Sequence, residues 1–168
     1  MDAKETFRKL VAKLKADLEI ASLRAANELL ADISERIYEN GQAADGSKIG
    51  KYSERPFNFT EEMRTGYAGL LPVSRVKTGT IEGGYKEFRN KVGRESGYVN
   101  LDLTSSLRLN TKVGRSASGR IAVGIVGAEE VAKARDNEKR FGKTIFAPTD
   151  AEKEHAKQIF LKTLNSKT

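Results

Sequence analysis

Chemistry in this chain has few places to come from. The single histidine, His155, sits among Lys153, Glu154 and Lys157, and no second histidine and no cysteine exist to join it. One imidazole cannot complete a zinc site, and neighbours at helical spacing supply no nucleophile–base pair, so His155 reads as a surface residue. Gly46-Ser47-Lys48 has part of the composition of a phosphate loop. That motif needs Gly-x-x-x-x-Gly-Lys-Ser/Thr after a strand. Gly41 stands at the right spacing from Gly46, but Ser47 and Lys48 come in reversed order and a helical pattern precedes them. The acid pairs Glu61-Glu62 and Glu129-Glu130 are adjacent, so their side chains diverge instead of converging on a substrate, and they read as solvated charges. Without cysteine, a disulfide scaffold, a thiolate metal site and a cysteine nucleophile are excluded. The expectation is a protein with no catalytic residue, no cofactor and no metal, and not an enzyme.

What remains is recognition. Cations interleave with aromatics at Lys51-Tyr52, at Arg55-Pro56-Phe57-Asn58-Phe59 and at Tyr85-Lys86-Glu87-Phe88-Arg89. Such mixtures stack bases and neutralise phosphates, or they anchor a protein neighbour, because Tyr, Phe and Arg are enriched at interface cores. Protein docking is the preferred reading, with Tyr52, Phe57, Phe59, Tyr85, Phe88 and Arg89 as the candidate assembly contacts. No helix-turn-helix, zinc-finger or ribonucleoprotein signature accompanies them. The 168 residues carry a net charge of +7. Residues 1–40 are close to balanced, and the excess is concentrated in residues 41–127. A basic surface of this kind fits phosphates or acidic protein, so a basic nucleic-acid-binding accessory protein is the alternative reading.

The elements that must position these groups follow from periodicity. Phe7, Val11, Leu14, Leu18, Ala21, Ala25, Leu29, Ile33 and Ile37 recur in steps of three and four, which puts one stripe on one helix face. Asp2 is a start cap and Gly41 a stop. Such a helix, over residues 1–40, runs about 35 residues or roughly 50 Å. That is longer than a small core needs, so it either covers its own sheet or serves as an arm against neighbours; Ala21–Asn27 is where it would break. Residues 41–100 hold most of the glycines and keep no period, which implies an irregular, Gly-rich loop or arm region with one or two helical turns near Tyr85–Arg89. Leu107–Val113 and Ile121–Val126 alternate around a turn-forming stretch, giving a β-hairpin within 101–127; Ser105 and Ser106 would alternatively carry a short helix into Leu107. Residues 128–165 read as two helices, the first ended by Gly142 and the second opened by a capping box at Thr149-Asp150-Ala151-Glu152. The expected core stripe is Leu14, Leu18, Leu29, Ile33 and Ile37, with Ile159 and Phe160 from the last helix. At this length the prior is a single domain, 1–168, of α+β class: a long N-terminal helix, a small antiparallel sheet with a hairpin, a C-terminal helix and long Gly-rich loops. The N-terminus has no continuous apolar run, so neither a signal peptide nor a membrane span is expected.

The order of parts resembles a known family. The long helix ends in I-S-E-R-I-Y-E-N-G, and an Asp45-Gly46 turn follows, then S-K-I-G-K-Y-S with Tyr52 in an aromatic slot. G-G-Y-K-E-F-R (Gly83–Arg89) and V-N-L-D-L-T-S-S-L (Val99–Leu107) come next, and the tail reads from A-R-D-N-E-K-R-F through T-I-F-A-P-T-D-A-E into the last helix. This series is similar to the phage virion-morphogenesis family, the small neck or tail-completion proteins of tailed bacteriophages, in which the D-L-T phrase commonly continues with glycine where this chain has Ser105. The Leu70–Thr80 stretch has no counterpart. The resemblance implies a non-enzymatic structural protein of the virion neck, made in the host cytoplasm. Copies would assemble as a ring, a hexamer or a dodecamer, at the head–tail junction. Partners would be a connector or adaptor and a tail terminator or tail-tube protein, with DNA passing the lumen unread and no membrane involved.

Overall fold

Ala3–Ser34 forms one uninterrupted helix, α1, which continues into a π-helical turn at Glu35–Glu39. It does not break at Ala21–Asn27. Asp2 starts it, its carboxylate accepting the Lys4 amide at 3.3 Å, and Gly41 stops it with φ +60°. A Cβ at Gly41 would lie 2.3 Å from the Tyr98 ring and 2.7 Å from the Val99 carbonyl, so the position requires glycine on both conformational and steric grounds. The computed structural model describes residues 2–166; Met1 and Lys167–Thr168, the outer limits of the expected domain, lie outside them.

After α1 come β1 (Phe57–Phe59), α2 (Glu61–Tyr67), a 3-10 turn at Val73–Arg75, β2 (Gly79–Ile81), α3 (Gly84–Lys91), α4 (Ser106–Asn110), β3 (Thr111–Arg115), β4 (Ile121–Ile125), α5 (Ala128–Phe141) and α6 (Asp150–Asn165). The class is α+β. Two separate antiparallel pairs form, β1–β2 with Phe57 opposite Ile81, and the hairpin β3–β4 with Val113 opposite Val123. None of the helices among the described residues is long and apolar enough to cross a membrane.

Backbone contacts sort the chain into two compact units, each assembled from separated segments. The first comprises Met1–Ile33, Thr111–Val126 and Pro148–Thr168. Here α1 buries Ala21, Ala26 and Ile33. The α6 start is held by the anticipated capping box: Thr149 Oγ1 accepts the Glu152 amide at 3.1 Å, and the Glu152 carboxylate accepts the Thr149 amide at 2.6 Å. These bonds satisfy helix-end donors that have no intrahelical partner.

The second unit comprises Ser34–Asn110 and Gly127–Ala147. Its apolar core is Phe59, Leu71, Val73, Val76, Ile81, Phe88 and Val92, bordered by Phe57, Tyr67, Tyr85 and Leu103. Every one of these residues lies between 41 and 110, so the segment expected as an irregular arm carries a packed apolar cluster of its own. The pattern is unreadable because its elements are so short: a three-residue strand or a seven-residue helix contributes one or two apolar side chains and never completes a period. Elsewhere in this unit, Arg36 straps the end of the long helix to the chain before Pro148. Its guanidinium donates to the Gln42, Ile145 and Ala147 carbonyls at 3.2, 2.9 and 3.0 Å. Glu138 completes the strap by accepting the Ile145 and Phe146 amides at 2.7 and 3.1 Å.

Two further expectations are corrected. The hairpin's first strand does not run from Leu107: Ser106–Asn110 is helical and the strand begins at Thr111. The apparent alternation of Leu107 and Leu109 is that of a helical turn, with Leu107 buried and Leu109 exposed, where a strand would put both on one face. The core stripe also holds only in its second half. Ile33 and Ile37 are buried, Leu29, Ile159 and Phe160 are half-buried, and Leu14 and Leu18 are exposed.

Candidate functional site

The aromatic and arginine residues singled out in the sequence do come together, in the second unit. In β1 the two-residue period puts Phe57 and Phe59 on one face. In α3 the three- and four-residue spacings put Tyr85, Phe88 and Arg89 side by side. Gly84 permits this closeness: it has φ +67°, and a Cβ there would lie 2.6 Å from the Ser53 and Arg55 carbonyl oxygens. The Phe88 ring lies 5.2 to 6.2 Å from the rings of Phe59, Tyr85, Tyr67 and Phe57, the range of favourable aromatic pairs. Arg89 is 1% exposed. Its Nε donates to the Glu95 carbonyl at 2.6 Å, and its Nη2 donates to Asn100 Oδ1 and to the Asp102 carbonyl, each at 2.8 Å. The guanidinium also stacks over the Tyr52 ring at 4.3 Å. The Tyr52 hydroxyl and Asn100 exchange hydrogen bonds at 3.2 Å, and Asn100 Nδ2 donates to the Tyr38 carbonyl at 3.1 Å.

These contacts remove Phe59, Phe88 and Arg89 from the candidate assembly contacts. Phe59, Phe88 and Arg89 are buried in the chain's own fold, and Tyr52, Phe57 and Tyr85 are half-buried against them. Burial pushes the Tyr52 and Tyr85 phenols above their ordinary range, with the Arg89 charge opposing the shift. Arg89 donates from Nε and Nη2 to oxygens of the single connection between α3 and α4, so it is a buried structural clamp that holds that loop against α3. Interface-type composition and core-type composition are the same residues, and sequence spacing alone cannot separate them.

The residues weighed for chemistry are engaged locally. Ser47 donates from both its amide and its hydroxyl to Asp45 Oδ1, at 2.9 and 2.6 Å, and this keeps the Asp45 carboxyl below its usual range. Lys48 turns back to the Asn40 carbonyl at 2.7 Å. Gly46-Ser47-Lys48 is thus a closed turn and not an open phosphate cradle. Glu61, Glu62 and Glu129 are exposed, but Glu130 is buried, contrary to its reading as a solvated charge. Its Oε1 accepts from Lys133 Nζ at 2.7 Å and Ser106 Oγ at 2.9 Å, and these contacts, Lys133 first, hold the carboxyl below its usual range. The first turn of α5 adds a favourable dipole. His155 lies at the surface of the first unit with Nδ1 2.7 Å from Asp32 Oδ2, a contact that raises the imidazole's pKa. Among the described residues no three His, Asp or Glu side chains converge as a metal site requires.

Open surface lies elsewhere. From Ala3 to Ile20, α1 buries no residue, and Phe7, Leu10 and Leu14 are 65, 63 and 56% exposed. The sequence pattern contained Phe7 and Leu14 and assigned Leu14 to the core; the one signal against that was the excess length of the helix. The second open surface is the outer face of the β3–β4 hairpin. Its register pairs Lys112 with Gly124 and Gly114 with Ala122, and all of these are exposed. Comparison with known proteins finds no matching family model, no similar curated protein and no similar solved structure.

Proposed function

We propose that this chain is a structural, non-enzymatic protein of the neck of a tailed bacteriophage. In this reading copies close a ring at the head–tail junction, as a hexamer or dodecamer, between a connector or adaptor and a tail terminator or tail-tube protein. DNA passes the lumen without being read.

The observation that carries the proposal is a convergence. The phrases that resemble the phage family are far apart in sequence, yet Tyr52, Arg89, Asn100 and Asp102, drawn from three of them, meet in one hydrogen-bonded and stacked cluster. The tail phrase supplies Glu138, which fixes the Ile145 and Phe146 amides. Ser105 adds to this. It stands where the family commonly has glycine, and its φ is +62°, the left-handed region that favours glycine. The exposed apolar face of α1 supplies a surface for assembly, because a row of large apolar side chains on one helix face is stabilised by covering it.

The test is location and mass. Antibody or tag labelling of purified particles should mark the neck, and sedimentation should show the isolated chain entering a ring when its connector or tail partner is added. Particles that lack the chain would remove the proposal. The alternative, a nucleic-acid-binding accessory protein, predicts that absence together with association with nucleic acid in infected cells.

A further inference from the structure

The β3–β4 hairpin is the charged outlier of the first unit. The helical parts of that unit, residues 2–33 and 148–166, each carry as many acids as Lys and Arg, whereas the hairpin carries Lys112, Arg115 and Arg120 and no acid. No Asp or Glu occurs anywhere between Asp102 and Glu129. Arg115 lies on the same face as Val113 and Val123 and is paired with Glu19. Lys112 and Arg120 alternate onto the other face, and no acid pairs with either among the described residues.

That other face has an unusual surface between its two cations. Gly114, Ala122 and Gly124 occupy it, and no atom lies within 4 Å of a Cβ added at Gly114 or Gly124. Lys112 and Ser116 are four residues apart on one strand, about 13 Å, and the Ser116 amide donates to the Arg120 carbonyl at 2.8 Å. The two cations therefore stand at opposite ends of a smooth ribbon. The ribbon has only two strands, so both strands are edges with backbone amides facing outward. A protein partner would need anchoring side chains, and protein interfaces draw most of their energy from aromatic and other large anchors. This face has none. A polyanion with regularly spaced charge needs only cations, outward amides and a surface that lets the backbone come close.

We propose that the outer face of the hairpin is a sequence-independent contact for the phosphodiester backbone of DNA, with Lys112 and Arg120 neutralising separate phosphates across the Gly114–Gly124 ribbon. The contact rests on the hairpin alone and not on the neck reading.

Fluorescence anisotropy with a random-sequence DNA duplex at low salt tests it on the full chain. Lys112→Gln/Arg120→Gln should weaken binding on the order of tenfold and lower the slope of log affinity against log salt by about two, one for each phosphate that keeps its counterion. Gly124→Glu keeps both cations, sits in open space and should weaken binding comparably. Lys153→Gln/Lys157→Gln on α6 removes the same charge and should leave most of the affinity. Unchanged thermal midpoints show that the variants fold. The proposal is overturned by an absence of binding in the wild type, by hairpin variants that retain the full salt slope, by an equal weakening in the α6 variant, or by polyglutamate displacing the protein as readily as duplex does. None of these outcomes alters where the chain sits in a particle, so the two proposals fail separately.

Discussion

The first half of α1 and the Gly-rich stretch from 41 to 100 invert what their patterns suggest. The helix has a strict apolar period and large side chains, and from Ala3 to Ile20 it fully buries no residue, Val11 and Asp17 alone being half-buried. The stretch has no period, many glycines and most of the buried large side chains of the second unit. Periodicity reports that apolar groups share a face; it does not report what covers that face. A helix announces itself through its own repeat, while a core built from three-residue strands and short helices is specified by tertiary pairing that no local window contains.

The contrast sharpens most where the packing is densest. Phe88→Ala should destabilise the protein by about 3–5 kcal/mol, the range for removing a fully buried aromatic, because the ring touches four others. Denaturant unfolding measures this, and a destabilisation below about 1 kcal/mol would mean that the aromatic cluster is not the core of the second unit. Arg89→Lys comes next. Lysine keeps the charge but lacks the planar fork, leaving some of the Glu95, Asn100 and Asp102 acceptors without a donor, at a cost of about 2–3 kcal/mol. If Arg89 instead served a surface role, the substitution would leave stability unchanged.

The sequence was legible in proportion to how locally each feature is determined. The class, the long helix, its stop at Gly41, the hairpin and the Thr149–Glu152 capping box all depend on residues within a few positions of one another. The grouping of Tyr52, Phe57, Phe59, Tyr85, Phe88 and Arg89 was legible as composition. Its place in the interior was not, because β1 must meet β2 across about twenty residues and α3 must meet the Ser53–Arg55 backbone across about thirty before Phe88 is enclosed. Glu130 was misread for the same reason: the groups that permit its burial include Ser106, which is distant in sequence. Exposed surfaces are harder still, since the apolar stripe of α1 carries no mark separating Leu14 from Ile33.

Ser105→Gly is expected to stabilise by about 1 kcal/mol, by relieving a non-glycine residue in the left-handed region. Its hydroxyl is not needed for the Leu109 amide, which donates to the Ser105 carbonyl at 2.9 Å. A destabilising result would show that the Ser105 side chain makes a contact that outweighs the strain. Smaller again is the pH effect of His155, on α6, whose partner Asp32 lies near the end of α1. Its pKa is raised above the ordinary 6.5 by Asp32, through the hydrogen bond first and charge second, with Glu28 adding to it. The pair therefore contributes stability fully below about pH 6.5 and loses it as pH rises through the elevated folded value. His155→Gln should flatten the pH dependence of the unfolding midpoint in that window and change it little above. An unchanged profile would mean the contact is not held in solution.

The last substitution separates the two halves of the stripe. Leu14→Asp puts a charge where Leu14 is already 56% exposed. On an exposed helix face such a change moves stability by no more than about 0.5 kcal/mol, whereas the same charge on a buried face strands an unpaired carboxylate at a cost of several kcal/mol. Circular dichroism and the unfolding midpoint of the isolated chain should thus match the wild type. Association with copies or partner should not, because covering the helix would then desolvate the new charge. A Leu14→Asp protein that unfolds would place the first half of α1 in a core of its own, and the inversion between the two regions would disappear. One that folds and still assembles would leave the inversion intact but remove the apolar face as the surface of assembly.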